Sequence, residues 1–499
     1  MNHITSLLFK RILSFGSAVL LILTSAAGCS ERDPQNAETD TEENQSPVVS
    51  EEPDASEETD LGNRLWEGQS FDGYTVNILG RSADWAAIDF RADELTGELV
   101  NDAVYNRNLQ VENDLAVSLV YNGINDEYTQ LHNALRNSVA AADGAYDIAS
   151  LYAYFAVSLT LENVLYNLHE LTNADLSNPW YNQSFVHEMT LFDQLYYVVG
   201  DLTMTATDRM MLMFFNKDLA EEYMPGLDLY GRVYEGSWTI DAFAGLIRDL
   251  WTDANGNGKK DPSDVFGFAF DTGSVPTDGF MAALEVHVAD RDSDGTPVLS
   301  VYNDHVNSAY EKLTGLIYEN TGVGLNLGQG ALFQNGKAVF FSGLANFAVS
   351  LRDFEPGYGV LPLPKFDEAQ DGYHTFPQDA YNILCVPLTC SNIPAAGAAM
   401  DELSCLSRES VYPAYFEDTF QKKFMRTEAD SAMFDFTREG MEFNFGVVYS
   451  SAIGNPAWFF RDSVSGRKDL ASAYKTQDKI YRKSLEKFLE KLHEMGTAG

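Results

Sequence analysis

The stretch YYVVGDLTMTATDRMMLMFFNKDLAEEY, residues 196–223, decides the fold. Its first residues predict a short strand, and a crossing segment follows that is rich in Thr and Met. A second apolar run ends at Phe215, where Asn216-Lys217-Asp218 begins a helix. The stretch therefore predicts two strands separated by a crossing, followed by a helix.

The chain before this stretch has the pattern of a β-α-β unit. The first predicted strand ends at Gly80 and has alternating apolar residues at Tyr74, Val76 and Ile78. The next segment is a predicted helix, with apolar residues at helical spacing at Val100, Val104, Val111 and Leu115. Further strands are predicted at 117–121 and 146–151. This order predicts parallel strands joined by a crossover helix.

Ligands of such sheets bind at the carboxyl ends of the strands. The loop after Gly80 places three candidates there, and the third strand is followed by two more; they are Arg81, Asp84, Trp85, Tyr152 and Tyr154. Aromatic rings match the C–H face of a sugar, and charged groups bind its hydroxyls. The alternative for each aromatic residue is a packing role in the core or at its rim.

Four further motifs follow downstream in a fixed order. They are Gly236-Ser237-Trp238-Thr239, with Thr239 as a helix N-cap, FQNGKAV at 333–339, YGVLPLP at 358–364, and the segment YPAYFEDTFQKKFMRTEADSAMFDF between Val411 and Gly446. With the opening stretch, they resemble extracellular solute-binding proteins of the maltose-binding type over nearly all of residues 66–495.

This resemblance implies an α/β chain with two lobes, a type II periplasmic-binding-protein-like fold in which each lobe is a mostly parallel sheet flanked by helices. The implied first lobe is 63–199 plus 379–445, and the second is 200–378 plus 446–499 with the C-terminal helices. The hinge is expected at 199–201 and 378–381. The resemblance also implies cleft residues at Asp208, Asp271, Trp458 and Phe459, whereas Trp238 is expected to pack.

Residues 253–264, DANGNGKKDPSD, have the spacing of an EF-hand calcium loop. The predicted ligands are Asp253, Asn255, Asn257, the backbone carbonyl of Lys259, Asp261 and Asp264, with glycine at loop position 6. Asp264 stands where glutamate is usual and has a shorter reach. A calcium ion here would be structural, and a plain surface turn is the alternative; no catalytic cofactor is expected.

The N-terminus predicts export. Lys10 and Arg11 precede an apolar run at 12–23, and Ala26-Ala27-Gly28-Cys29 resembles a lipobox, although leucine usually stands where Ala26 does. We expect a signal peptide at 1–28, a lipidated Cys29 that anchors the chain to the cell membrane, and a disordered acidic linker at 29–62. The alternative is ordinary cleavage nearby with a free Cys29.

The net charge of −41 excludes nucleic acid and an anionic membrane surface as partners, since both require basic surfaces. Cys385, Cys390 and Cys405 allow at most one disulfide. Together with the export signal, the resemblance implies a monomeric, extracytoplasmic, non-enzymatic receptor that captures an oligosaccharide for the permease subunits of an ABC importer. The alternatives are a receptor for peptides or other solutes, a carbohydrate-active hydrolase, and an adhesion or scaffold protein.

Overall fold

The computed structural model describes residues 62–125, 128–351, 354–415 and 427–497. The predicted signal peptide at 1–28, the lipidation site Cys29 and the predicted linker up to residue 61 lie outside the described residues. The same holds for 416–426, within the predicted segment between Val411 and Gly446.

The strands, in chain order, are β1 (Tyr74–Arg81), β2 (Val117–Ile124), β3 (Ile148–Tyr152), β4 (Met211–Asn216), β5 (Trp251–Thr252), β6 (Val265–Phe270), β7 (Ala289–Arg291), β8 (Pro297–Leu299), β9 (Val323–Leu325), β10 (Ala338–Leu344), β11 (Tyr358–Leu361) and β12 (Asn382–Cys385). The helices are α1 (Asp84–Ala87), α2 (Leu99–Leu115), α3 (Tyr128–Ala141), α4 (Ala153–Ala156), α5 (Gln183–Met189), α6 (Met204–Asp208), α7 (Lys217–Tyr223), α8 (Leu229–Tyr234), α9 (Ile240–Ile247), α10 (Ser274–Ala283), α11 (Asp304–Thr314), α12 (Gln329–Gln334), α13 (Ile393–Leu406), α14 (Glu428–Glu439), α15 (Phe445–Val448), α16 (Ala457–Gly466) and α17 (Leu470–Thr497).

The first lobe is built on a four-stranded sheet of order β12-β3-β1-β2. β1 pairs in parallel with both β2 and β3, and the returning strand β12 pairs antiparallel with β3. Val104, Val111 and Leu115 of α2 are buried, as their helical spacing predicts. The predicted β-α-β unit is therefore confirmed.

The second lobe is built on a sheet of order β11-β4-β10-β6-β5, with β9 also paired to β6. β10 runs parallel to β6 and antiparallel to β4, and β11 is antiparallel to β4. Trp238 is fully buried, packs on Phe243 and Phe340, and donates its Nε1–H to the Pro362 carbonyl at 2.9 Å. Its predicted packing role is confirmed.

Side-chain caps begin the two helices that the motifs predict in this lobe. The Asn216 side chain accepts a hydrogen bond from the Leu219 N–H at 3.1 Å and begins α7. The Thr239 hydroxyl accepts one from the Ala242 N–H at 3.2 Å and begins α9. Both caps satisfy backbone donors that a helix leaves unpaired in its first turn.

Three segments connect the lobes and lie side by side. The first runs from β3 towards β4, the second joins β11 to β12, and the third follows α14. Met210 forms a bridge to Pro377, and Thr375 forms one to Met441. At the start of the first segment, Gly200 lies so close to Trp180 that a Cβ atom would meet its carbonyl oxygen at 2.1 Å. Only glycine fits there without moving the backbone.

Two later helices, α17 and α14, pack against the sheets and segments described above. Tyr481, Leu485, Phe488 and Leu492 of α17 are buried and Leu489 is partly buried, so one apolar stripe of this helix packs against the rest of the chain. Asp430 of α14 accepts a hydrogen bond from Lys217 Nζ at 2.6 Å and one from Tyr230, so α14 packs on the second sheet. The residue limits of the two lobes remain a prediction. No helix in the described part of the chain combines the length and apolar character that crossing a membrane requires.

Candidate functional site

A buried polar network holds the loop after β1 in place. The Asp89 carboxylate is fully buried and accepts hydrogen bonds from Asn382 Nδ2 at 2.8 Å and from the N–H and hydroxyl of Thr205, each at 3.3 Å. Asn382 Nδ2 also donates to the Ala86 carbonyl at 2.7 Å. The network joins the loop, the first crossing segment and the start of β12, and burial raises the pKa of Asp89 to about 6.

Trp85 lies on this loop beneath two arginine side chains. The guanidinium carbons of Arg81 and Arg209 lie 4.2 and 4.3 Å from the centre of its ring, and that of Arg81 also lies 4.7 Å from the ring of Tyr152. Arg81 Nη1 donates to the Ala380 carbonyl at 3.1 Å and lies 3.4 Å from Asn382 Oδ1. The structure thus brings together three predicted site residues, Arg81, Trp85 and Tyr152, around Arg209, which the sequence did not single out.

A second aromatic pair joins the lobes. The ring of Tyr154, after β3, stacks on Trp458 of α16 with centres 5.8 Å apart and planes 8° apart. Tyr154 also donates its hydroxyl hydrogen to Asn455 Oδ1 at 2.8 Å. Because α16 packs against α10 and α11 of the second lobe, this pair spans the boundary between the lobes.

Charged groups surround the pair. Arg461 Nη1 forms an ion pair with Asp278 Oδ2 at 2.8 Å, and its guanidinium carbon lies 5.2 Å from the centre of the Trp458 ring. Burial raises the pKa of Asp278 to about 7, and Arg461 opposes this shift. Asp379, on the second crossing segment, is an electrostatic neighbour of both Arg209 and Arg461, and burial raises its pKa as well. We call the region from Trp85 and Arg209 through Asp379 to Trp458 and Arg461 the interlobe junction.

The other predicted site residues lie in different surroundings. Asp84 is almost fully exposed and pairs with Arg91. Phe459 is 5% exposed and packs against Tyr474 in the core of the second lobe, so the structure does not bring it to the junction with Trp458.

Of the two predicted cleft aspartates, Asp208 and Asp271, only Asp208 lies beside the interlobe junction. Asp208 directly precedes Arg209 and lies close to it, and burial raises its pKa to about 7. Asp271 accepts a hydrogen bond from the Gln329 N–H at 3.3 Å, and its own N–H donates to Gln329 Oε1 at 3.0 Å. Asp271 is thereby tied to the start of α12, whereas Asp208 lies beside the interlobe junction.

A cavity of about 310 Å³ adjoins the junction and shares Tyr154 and Asp379 with it. Its wall combines residues after β3, residues of α5 and α10, and residues of the second and third crossing segments. The volume lies at the lower end of the range that pockets for small ligands occupy. A ligand in the junction can therefore extend into enclosed space.

Histidine and carboxylate pairs line this cavity. His374 Nδ1 lies 2.9 Å from Glu442 and its Nε2 lies 3.3 Å from Glu285, and hydrogen bonding to Glu442 raises the pKa of His374. His287 Nδ1 lies 2.8 Å from Asp290, which raises the pKa of His287. The sequence did not reveal this cluster, because its histidines belong to segments far apart in the chain.

The predicted calcium loop closes on its own hydrogen bonds. Asp253 accepts the N–H groups of Gly256 and Gly258, each at 2.7 Å, and the side-chain amides of Asn255 and Asn257 donate to Asp261 at 2.8 and 2.6 Å. The Lys259 N–H donates to Asn257 Oδ1 at 2.7 Å, and the buried Asp264 accepts Trp251 Nε1–H at 3.0 Å. In the described ranges, no group of three or more His, Cys, Asp or Glu is arranged to hold a metal ion. Calcium binding at this loop remains a prediction.

No protein-family model and no curated protein sequence matches the chain. Solved structures do match. An ABC substrate-binding protein from Listeria monocytogenes in complex with cycloalternan superposes with a TM-score of 0.51 at 15% identity, and covers 83% of this chain and 99% of its own. The galacto-N-biose-/lacto-N-biose I-binding protein of the ABC transporter from Bifidobacterium longum gives 0.55 at 13%, with 84% and 99% covered. The GacH receptor of Streptomyces glaucescens GLA.O gives 0.53 at 14%, with 83% and 99% covered. The chain therefore has the two-lobe α/β fold of periplasmic-binding-protein-like proteins, as the sequence predicts.

Proposed function

We propose that this chain captures a saccharide between its two lobes and delivers it to the permease subunits of an ABC importer. The observation that carries the proposal is the interlobe junction, where Tyr154 of one lobe meets Trp458 of the other beside Arg461 and Asp379. Flat aromatic faces beside hydrogen-bonding charged groups are the combination that sugar rings and their hydroxyls require.

The structural neighbours support the same class of ligand. The Listeria protein is an ABC substrate-binding protein in complex with cycloalternan, and the Bifidobacterium protein binds galacto-N-biose and lacto-N-biose I for an ABC transporter. The Streptomyces receptor has been solved in complex with acarbose. At 13–15% identity these proteins share the fold with this chain, and the proposed ligand class rests on the residues of the junction itself.

Delivery requires that a loaded receptor differ in shape from an empty one. The three crossing segments between the lobes provide a hinge, since few backbone pairings join them, among them Met210 to Pro377 and Thr375 to Met441. A ligand bound to Trp85 in the first lobe and Trp458 in the second would favour the closed arrangement.

We expect the activity outside the cytoplasm, with the chain exported by its predicted signal peptide and held at the cell membrane as a monomer through a lipidated Cys29. A structural calcium ion in the loop at 253–264 would fix one edge of the second lobe. No catalytic step is part of this proposal.

Calorimetry with a panel of oligosaccharides and peptides, followed by product analysis, tests the function. We expect saccharide binding without turnover, and about a tenfold loss of affinity in Trp458→Ala, which corresponds to about 1.4 kcal/mol of lost ring contact. The matched control is Tyr234→Ala, which removes an aromatic ring that is 57% exposed on α8.

Each alternative function has its own outcome in this experiment. Binding of peptides without saccharides would identify a receptor for another solute, and release of cleaved products would identify a hydrolase. Binding of neither class would leave an adhesion or scaffold role. Small-angle scattering provides a second test, because an unchanged radius of gyration on saturation with a bound sugar would contradict lobe closure.

A further inference from the structure

The guanidinium group of Arg209 lies over the Trp85 ring at the interlobe junction and forms no ion pair with a described residue. The side chain is half-buried on the first crossing segment, and no carboxylate of a described residue lies within 4.0 Å of it. Its Nε–H is buried and donates to no acceptor. An unsatisfied buried donor is costly, and an unsatisfied charged donor is more costly still.

The surroundings of Arg209 increase this cost. Its ring contact is with Trp85, on which Arg81 places a second guanidinium group, and the positive charge of Arg81 disfavours that of Arg209. Burial and this repulsion both lower the pKa of Arg209. An aromatic face stabilises a cation but accepts no in-plane N–H group, so the donors at the edge of the guanidinium remain available.

The nearest carboxyl groups compensate for this charge only in part. Asp208 and Asp379 lie near Arg209, but burial raises the pKa of Asp208 to about 7 and also raises that of Asp379, so their anionic forms are disfavoured. Asp278 is already paired with Arg461 at 2.8 Å. In a chain of net charge −41, an arginine left without an ion pair between the lobes is a specific feature of this site.

We propose that the saccharide bound at the junction is acidic and that a carboxylate on its ring pairs with Arg209. The guanidinium plane presents two parallel N–H groups that match the two oxygens of a carboxylate, a geometry that neutral hydroxyl groups do not reproduce. This inference rests on the proposed function and adds the charge of the substrate class to it.

Matched pairs of disaccharides that share a linkage and differ only in the carboxyl group test the inference. Suitable pairs are α-1,4-digalacturonate with α-1,4-galactobiose and β-1,4-dimannuronate with β-1,4-mannobiose, titrated into the full chain at pH 7. We expect at least one acidic member to bind at least tenfold more tightly than its neutral counterpart, and its affinity to fall as salt is raised.

Substitution of Arg209 assigns the preference to this residue. Arg209→Gln is expected to remove the tenfold preference, and Arg209→Lys to restore part of it, because lysine keeps the charge without the planar fork. Arg482→Gln, which breaks an exposed pair with Asp478 on α17, is the control and should keep the preference. Thermal unfolding of each variant verifies that it is folded, and the wild-type comparison of acidic with neutral sugars does not depend on any variant.

The possible results separate this inference from the proposed function. Equal or tighter binding of the neutral members, or an acidic preference that survives in a folded Arg209→Gln, overturns the inference and leaves saccharide capture intact. Binding of no saccharide in the panel overturns both.

Discussion

Replacing Asp89 with asparagine tests whether the loop that carries Trp85 is held by a carboxyl group that resists ionisation. The side chain is fully buried, and its pKa is raised from 3.8 to about 6 because burial outweighs its hydrogen bonds to Asn382 and Thr205. Between these two values the folded chain keeps a proton that the unfolded chain has lost, so stability falls as pH rises through this window. The difference corresponds to about 3 kcal/mol.

Urea unfolding at pH 4 and pH 7.5 measures this effect. Asparagine has nearly the same size and never ionises. We therefore expect the free energy of unfolding of Asp89→Asn, relative to that of wild type, to be about 3 kcal/mol higher at pH 7.5 than at pH 4. The control Asp218→Asn changes an exposed residue of α7, and its free energy of unfolding should differ from that of wild type by the same amount at both pH values. If the profiles of wild type and Asp89→Asn run parallel from pH 4 to pH 7.5, the network does not hold a destabilised carboxylate.

Three further predictions concern stability. His374→Gln removes ion pairs at the cavity. Because the pKa of His374 is raised and that of Glu442 is lowered, the stabilisation lost in this variant is greatest between about pH 4.5 and 6.5 and disappears as the pH rises through the raised pKa of His374. A difference in melting temperature between wild type and variant that is constant from pH 5 to 9 would contradict this prediction. Trp238→Ala should cost about 3–5 kcal/mol in urea unfolding, and a cost below about 1 kcal/mol would show that the core refills the space. Calcium should raise the melting temperature and change Trp251 fluorescence, Asp253→Asn should abolish both effects, and identical melting curves with calcium and with chelator would exclude the predicted metal site.

Local signals allowed the frame to be predicted. The strands of the first sheet, the helix starts at Asn216 and Thr239 and the packing of Trp238 follow from alternation, capping and burial, each of which depends on neighbours in the chain. The adjacent residues Trp458 and Phe459 show the limit of such signals. Consecutive helical positions point about 100° apart, and in the structure Trp458 is 38% exposed whereas Phe459 is 5% exposed. An aromatic motif predicts the pair, and only the packing of α16 decides which ring reaches the junction.

The polar part of the site was harder to predict, because pairing between distant residues decides which charge remains available. Asp208 and Arg209 are neighbours on the same segment, and the resemblance to solute-binding proteins implied Asp208 as the cleft residue. The structure places Asp208 where desolvation raises its pKa and disfavours its ionised form, and it leaves the guanidinium of Arg209 on Trp85. The histidines of the cavity were missed for the same reason, since His287 and His374 are 87 positions apart in the chain and only the fold brings them to one cavity.

With the proposed acidic ligand, the placement of these groups would couple ligand charge to lobe movement. Arg209 lies on the first crossing segment, Asp379 on the second, and Trp458 follows the third, so each connection between the lobes brings one functional side chain to the junction. The proposed ligand would pair with Arg209 on a crossing segment and contact Trp458 on α16 of the second lobe, so its binding would act on the hinge through Arg209. Because only a bound carboxylate would pair with Arg209, the closed state would be more favourable for the loaded receptor than for the empty one. An importer that recognises the closed form would then distinguish the two without contacting the sugar itself.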